Sequence, residues 1–373
     1  MTRALALSLT LAGTPALTVA ATPPLLPFDQ TGDLYVLDDG CDCVLRIDPS
    51  GAVSVAVTRP QIEAVTGDTV DFTEAGIAFD ANDVMYFTES TSDSILRFPP
   101  GGPLAEVVDE AAIGAATGAG STAELQGLAF GADGNLYAND QTADVVIRVV
   151  PGTGVVSVFA TAIALNDAAG TNVEPNTGIV GSEDGTIYTL SDDGDDFVFA
   201  VTSTGVVSVL ANGNPPFNDL DVYMTRDTNG DLVVADNSGA DTIFRITPAG
   251  TVSVFLTQAQ IRAASSNNNS DLEGGIAFDA TGAFYIAEND EDEILRFASP
   301  PAGGVFVSAA SIQAVTGEDP AFNGGIAFSR STLSPINPAP AADTLGILFL
   351  MLGLGLLGAR SLRSREAPGQ PAA

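Results

Sequence analysis

Five side chains stand two residues ahead of a recurring apolar pentapeptide, and all five carry oxygen: Glu74, Asn176, Asp221, Glu273 and Asn323. A further copy of the pentapeptide offers Glu124, three residues ahead of its glycine. Carboxylate and amide oxygens are what a hard cation such as Ca²⁺ takes as ligands. No imidazole or thiolate joins them, which disfavours zinc. The same residues also fit a polar cap that hydrogen-bonds strand ends around a wet channel and holds no metal. Sequence alone leaves both readings open. Arg226 fills the slot that holds Phe28, Phe79, Phe130, Phe278 and Phe328 in the other copies. An arginine near a channel axis can hold a carboxylate ligand. It can equally be the partner of Asp227 or Asp221, since a buried arginine is normally paired.

Composition narrows the chemistry. The chain has 47 acidic residues against 13 basic ones, a net charge of −34, and no histidine. All the basic residues are arginine. Such a surface repels nucleic acid and anionic membrane, and it suits cations or a saline medium. Without histidine the commonest general base and metal ligand is missing. Without lysine there is no Schiff-base chemistry. Catalysis here would rest on carboxylates, hydroxyls, arginine or a metal, and no side chain is singled out as catalytic.

A second acidic series repeats with arginine. Asp38/Arg46, Glu89/Arg97, Asp140/Arg148 and Glu288/Arg296 lie eight residues apart, and Asp236/Arg245 nine. Where one member is lost the other goes too, at Ser191 and Phe199. This predicts structural ion pairs across a hairpin. The two cysteines, Cys41 and Cys43, align with Ser92 and Ser94 of the next unit. The usual redox signature is C-x-x-C, so the C-x-C reads as an ordinary hairpin position. An exported chain permits a disulfide, although a bridge this short is geometrically demanding.

These residues are positioned by a repeat. GIAFD at Gly76 returns as GLAFG at Gly127, GIVGS at Gly178, YMTRD at Tyr223, GIAFD at Gly275 and GIAFS at Gly325, and LLPFD at Leu25 fills the slot one period earlier. Each unit continues as turn, LYV-like strand, polar loop, ILRF-like strand, Gly/Pro turn and VSVF-like strand. Four short strands per unit of about 50 residues are propeller blades. The expected fold is therefore all-β, a six-bladed β-propeller with four antiparallel strands per blade, lettered A to D from the axis outward. The last copy, residues 325–328, has no strands after it. It is expected to close the ring by pairing with, or replacing, the LLPF segment. Tight A–B and C–D turns mark a plain bottom face. Acidic B–C loops and the D–A connections mark an elaborate top, with helical turns at Ile62, Ile113, Ile261 and Ile312.

The ends read differently. Arg3, an apolar run over residues 4–12 and small residues at Ala20 and Ala21 predict a signal peptide over residues 1–21, hence export. The propeller is assigned to residues 22–334 and a Pro/Ala linker to 335–343. Residues 344–365 form an apolar helix ending in Arg360, Arg363 and Arg365, and 366–373 a short tail. This predicts a cell-envelope or extracellular location, with the membrane contacted through the C-terminal helix unless it is processed. Linker, short helix and arginines resemble the PEP-CTERM class of bacterial sorting signals, with Pro338-Ala339-Pro340 in the linker. A plain membrane anchor fits the same residues.

The GIAFD–turn–LYV–ILRF cadence over residues 25–329 resembles NHL-type propeller repeats. The acid and amide positions ahead of the inner strands resemble the gluconolactonase/regucalcin family, whose six-bladed members hold a divalent cation by Glu, Asn and Asp. The resemblance implies that Glu74 or Glu273 stands for the family Glu, Asn176 or Asn323 for the Asn, and Asp221 for the Asp. By position and chemistry Glu124 and Arg226 are the ligand-binding candidates beside them. Two functions follow. One is an exported propeller that binds a divalent cation, Ca²⁺ by this reading, and a small molecule or envelope ligand at the top of its channel. The alternative is a calcium-dependent lactonase-type hydrolase, in which the cation polarises a lactone carbonyl and activates water. Streptogramin lyases and paraoxonases are similar in fold but lean on histidine, which this chain lacks.

Overall fold

A computed structural model describes residues 32–120, 122–191, 196–213, 216–217, 219–220 and 223–330. Among them lie six four-stranded antiparallel sheets, five of them hydrogen-bonded in sequence order from the axis outward. Their inner strands are Ile326–Phe328 in blade 1, then Ile77–Phe79, Leu125–Phe130, Ile179–Gly181, Met224–Arg226 and Ile276–Phe278 in blades 2 to 6. The ring is a six-bladed β-propeller. Blade 1 takes its inner strand from the far end of the chain: Leu34 pairs with Phe328 and Val36 with Ile326. Of the two closures expected, replacement is the one adopted, and the LLPF segment lies outside the described residues. So do the expected signal peptide, linker and C-terminal helix. No helix among the described residues is long and apolar enough to cross a membrane.

Middle strands alternate in sequence yet are buried on both faces, because each blade packs between two others. Leu34, Val36 and Leu45 of blade 1 face Tyr285 and Ile294 of blade 6, while Leu37 and Val44 face Phe72 and Phe87 of blade 2. The helices are Arg59–Thr66 (α1), Glu110–Thr117 (α2), Ala162–Ala169 (α3), Gln258–Ala264 (α4) and Ala309–Thr316 (α5), all in D–A connections. Each follows a Thr, Asp or Ser N-cap and buries one large aliphatic side chain, Ile62, Ile113, Leu165, Ile261 or Ile312. α3 was not expected; its leucine replaces the isoleucine by which the others were recognised.

The expected acid–arginine pairs do not form. Arg46 faces Tyr35 in the ladder, and Arg97, Arg148 and Arg296 likewise face Tyr86, Tyr137 and Tyr285, whereas Asp38 faces Cys43. Acid and arginine are thus three ladder positions apart, about 10 Å, and on opposite faces of the blade, because side chains alternate with period two. Arg46 pairs instead with Asp33 at 2.6 Å, and Arg245 with Asp227 at 3.1 Å. In blade 4 the residue facing Tyr188 is Ala200, not Phe199.

The acids have another task. Glu89 is fully buried, and its carboxylate accepts the N–H groups of Asp71, Thr91 and Ser92. The next residue's N–H, Ser90, donates back to the carbonyl of Asp71. Asp38 with Asp39 holds Ala321 in this way, Asp140 with Gln141 holds Glu124, and Glu288 with Asn289 holds Asp271. Each clasp fixes the connection that feeds an inner strand. A left-handed aspartate ends every B–C loop, at 42, 93, 144, 196, 241 and 292, a conformation that Asp tolerates better than most residues. The acidity of these loops is therefore partly conformational. In blade 1, Cys41 and Cys43 form a disulfide, with Cα atoms 5.1 Å apart, within the range such bonds need. In blade 2 the aligned Ser92 and Ser94 hydroxyls are hydrogen-bonded at 2.6 Å.

The clasp makes a prediction that the ion-pair reading does not. Glu89→Ala leaves the half-buried N–H groups of Asp71 and Ser92, with that of Thr91, without their charged acceptor, and is expected to lower stability by about 3 kcal/mol. Arg97 is exposed, and Arg97→Ala is expected to cost less than about 1 kcal/mol. A double-mutant cycle by denaturant unfolding should show coupling below about 0.5 kcal/mol. Larger coupling would restore the ion pair.

Candidate functional site

The inner strands start at the top, so the residues just ahead of them surround the channel mouth. Glycine opens most of these strands because neighbouring blades touch there backbone to backbone. A Cβ on Gly76 would lie 2.1 Å from the nitrogen of Leu128, and one on Gly127, whose φ is +60°, would lie 2.0 Å from the carbonyl oxygen of Thr177. The contacts are hydrogen-bonded. Glu74 donates its N–H to the Asn323 carbonyl at 2.9 Å, Gly127 donates to the Glu74 carbonyl at 3.0 Å, and Gly325 donates to the Ala75 carbonyl at 2.9 Å.

In blade 5 the glycine slot holds Tyr223. Its side chain crosses the axis from blade 5 to blades 1 and 2, where the hydroxyl reaches the carbonyls of Ala75 at 3.0 Å and Asn323 at 3.1 Å. The phenol is buried, and burial, followed by the nearby Glu74 charge, raises its pKa well above the ordinary value. Below it the channel narrows to a space of about 80 Å³ between the inner strands, lined by side chains such as Ile77, Leu128 and Met224.

Around this plug the expected residues fall into three groups. Glu74 lies at the mouth, half-buried, with a carboxylate oxygen accepting from the Gln126 side-chain amide. Asn323 is bonded to it through the backbone. Asn176 is buried, but its side-chain oxygen accepts the N–H of Thr177 at 2.6 Å and the Thr177 hydroxyl at 3.1 Å, so it caps its own strand. Glu273 is exposed and accepts from Asn289 at 2.8 Å. Asp221 lies outside the described residues. Glu124 is exposed, held through its backbone by the Asp140 clasp. Arg226 ends the inner strand of blade 5, at the far end from the mouth, where it pairs with Glu183 at 2.9 Å.

Sequence reasoning missed Gln126 and Tyr223. Gln126 is 2% exposed and bonds both Glu74 and Gln141. In blade 3 the inner strand begins three residues earlier relative to its glycine than in the others, so Gln126, directly ahead of Gly127, lies inside the strand at the mouth. Tyr223 was visible as the departure from glycine in YMTRD, but its reach was not. Two acceptors at the mouth, the side-chain oxygens of Gln126 and Asn323, are buried without a hydrogen-bond partner. Among the described residues no three Asp or Glu side chains converge there; the one cluster of acid and sulfur is Asp38 with Cys41 and Cys43, whose sulfurs are joined in the disulfide.

The rest of the top face is strongly charged. Burial, the leading cause in each case, lifts Glu288 and Asp93 to about 7, and Asp38, Asp271 and Asp292 to about 6. Acidic neighbours add to the shift at Asp271, which faces Glu273 and Asp290.

No protein-family model matches the sequence, and no match was found among curated proteins. Solved structures do match. A chain of the nidogen/laminin complex aligns with a TM-score of 0.57 and 14% identity, over 81% of this chain and 99% of that one. A gluconolactonase from Xanthomonas campestris aligns with a TM-score of 0.47 and 15% identity, over 74% and 87%. A calcium-binding regucalcin from Agrobacterium tumefaciens aligns with a TM-score of 0.42 and 15% identity, over 61% and 71%. What is shared at such identities is the fold.

Two outcomes are expected. Tyr223→Phe removes the hydroxyl that answers two buried carbonyls and should cost about 1–2 kcal/mol. Tyr223→Gly restores the residue of the other blades but empties the plug, and should cost about 3–5 kcal/mol in a denaturant melt. The raised carboxyls bind more protons in the folded than in the unfolded state between about pH 4 and pH 7, so their contribution falls as pH rises through that window. Tm at fixed ionic strength should drop from pH 5 to pH 8, and Glu288→Gln should flatten the curve.

Proposed function

We propose that this protein is an exported propeller, held or sorted at the cell envelope by its C-terminal segment, that binds a divalent cation at the channel mouth without hydrolysing a substrate there. The observation behind the cation is the pair of partnerless buried oxygens on Gln126 and Asn323, both residues hydrogen-bonded to Glu74. Buried acceptors are normally satisfied, and leaving them unmade costs free energy. A hard cation held by Glu74 with these amide oxygens would satisfy them, and the donor chemistry suits Ca²⁺ better than zinc. With one carboxylate among the described donors, affinity should sit in the weak range for Ca²⁺ sites, on the order of 10⁻⁴–10⁻³ M. Asp221 would strengthen it.

Tyr223 favours binding over lactone hydrolysis. A metal hydrolase needs an open coordination position with room for a substrate carbonyl, and the phenol fills the mouth where both would stand. The acidic top face then serves to attract cations and to present a surface to an envelope or extracellular ligand.

Calorimetry of the full-length protein with Ca²⁺ tests the reading, together with melts with and without chelator. Bound cation should raise Tm in a concentration-dependent way. Glu74→Gln should weaken binding by about tenfold, and Glu89→Gln should leave it unchanged. Absence of heat and of any chelator-sensitive shift would reduce the ring to a polar cap. Chelator-sensitive turnover in a lactone screen would instead establish the hydrolase.

A further inference from the structure

The A–B turn of blade 1 is built from two distant parts of the chain. Gly32 donates its N–H to the Ser329 carbonyl at 2.8 Å, Asp33 donates to the Ser329 hydroxyl at 3.0 Å, and Ser329 donates back to the Asp33 carbonyl at 2.9 Å. In blade 6 the same three bonds lie within one turn: Gly282 to the Asp279 carbonyl, Ala283 to the Asp279 carboxylate, and Asp279 to the Ala283 carbonyl. Ser329 thus holds the place that the repeat gives to Asp29. The residues ahead of Gly32 have no way to win it back. Pro27 aligns with Ala327, which faces Tyr35. Leu37 donates to the Gly325 carbonyl on one side and Ser329 to the Asp33 carbonyl on the other, so antiparallel alternation makes Ala327 and Tyr35 a hydrogen-bonded pair. Proline has no N–H to give it. Leu25 aligns with Gly325, where a Cβ alone would lie 3.1 Å from the Ala75 carbonyl oxygen. Leu25, Leu26 and Phe28 are therefore shut out of the inner slot, and water disfavours leaving three large apolar side chains exposed.

We propose that residues 25–28 dock as a strap in the groove on the seam between blades 6 and 1, with Phe28 as the anchor. The groove begins at Gly32 itself and is walled by Ile47, Pro49, Tyr285, Phe306 and Phe328. It holds about 220 Å³, and a space of roughly 150 Å³ is enough for a benzene ring. Phe306 is half-buried and packs at the edge of the core cluster that joins the two blades, so a further ring there covers apolar surface. Phe28 is four residues from Gly32, a reach of up to about 14 Å. Residues 22–28 carry no charged side chain, so the acidic protein does not repel them. The tether also holds the segment at high effective concentration beside the groove, which gives it an advantage over any free ligand of the same chemistry. Bound there, the strap ties blade 6 to blade 1 next to the strand that closes the ring. It is independent of the cation at the channel mouth.

The test uses the full-length protein with the photoreactive p-benzoyl analogue of phenylalanine at position 28. Irradiation and mass spectrometry should find adducts within one chain, on groove residues such as Pro49 and Phe306. A double-mutant cycle gives a second readout. Phe28→Ala and Phe306→Ala should each lower Tm by about 2–4 °C, and the double variant should fall no further than the larger single loss. Phe255→Ala, at the equivalent place in blade 5, should instead add to Phe28→Ala. The photoadducts decide the matter even where Phe306→Ala does not fold. The proposal is overturned if no adduct maps to the groove, if adducts form only between chains, which would put a second copy there, if Phe28→Ala leaves Tm unchanged, or if its loss adds to that of Phe306→Ala.

Discussion

The ring stands on carboxylates that work as acceptors of backbone hydrogen bonds. At the end of a second strand, an acid and the amide after it grip the connection that delivers an inner strand, in the manner of Glu89 and Ser90 on Asp71. The inner strands then meet one another closely enough at the axis that Gly76 and Gly127 have no room for a side chain. Hub and clasp are coupled. Without the clasp the entry angle of the inner strand is unset, and without glycine the hub does not close. Burying so many acids has an electrostatic cost, visible in the upward shifts of Asp38 and Glu288. The backbone N–H groups that each one accepts offset part of that cost.

Much of this was legible in the sequence, and the failures have physical causes. The period, blade count, strand order and ring closure follow from turn chemistry and alternation, which are local. The acid–arginine spacing was equally regular, but spacing in sequence does not give ladder register. A shift of three positions puts two side chains on opposite faces, and Arg46 went to Asp33. The repeated left-handed aspartates from Asp42 to Asp292 were also there to be read as loop geometry. Of the candidate site, Glu74 and Asn323 could be placed at the mouth because they precede inner strands. That Asn176 would cap itself and Glu273 would face solvent depends on side-chain direction, which no spacing encodes.

Where the repeat breaks, the molecule becomes specific. Tyr223 in place of glycine turns an open hub into a plugged one, and Val233 faces Arg245 where Tyr35, Tyr86, Tyr137 and Tyr285 face the arginines of other blades. Arg226, in the position of a phenylalanine, pairs with Glu183 in blade 4, the blade whose Tyr188 faces Ala200 rather than arginine. All three lie in blade 5. This is also the blade entered by the shortest connection, the one for which no helix is found among the described residues. One blade has exchanged uniformity for individual contacts, while the other five keep the scaffold.

The closure by residues 326–328 carries a consequence for how the chain is made. Leu34 begins to form structure early in synthesis, but its partner Phe328 follows only after the other strands of all six blades. Until then the strand Leu34–Asp38 presents an unpaired edge, a template for pairing with other chains. Contacts this distant in sequence are slow to form. A product truncated before residue 326 would have five complete blades and one that lacks its inner strand, and the exposed edge would draw it into aggregation or degradation. The seam thus acts as a check on completeness, because only a chain translated through residue 328 can hide its own beginning.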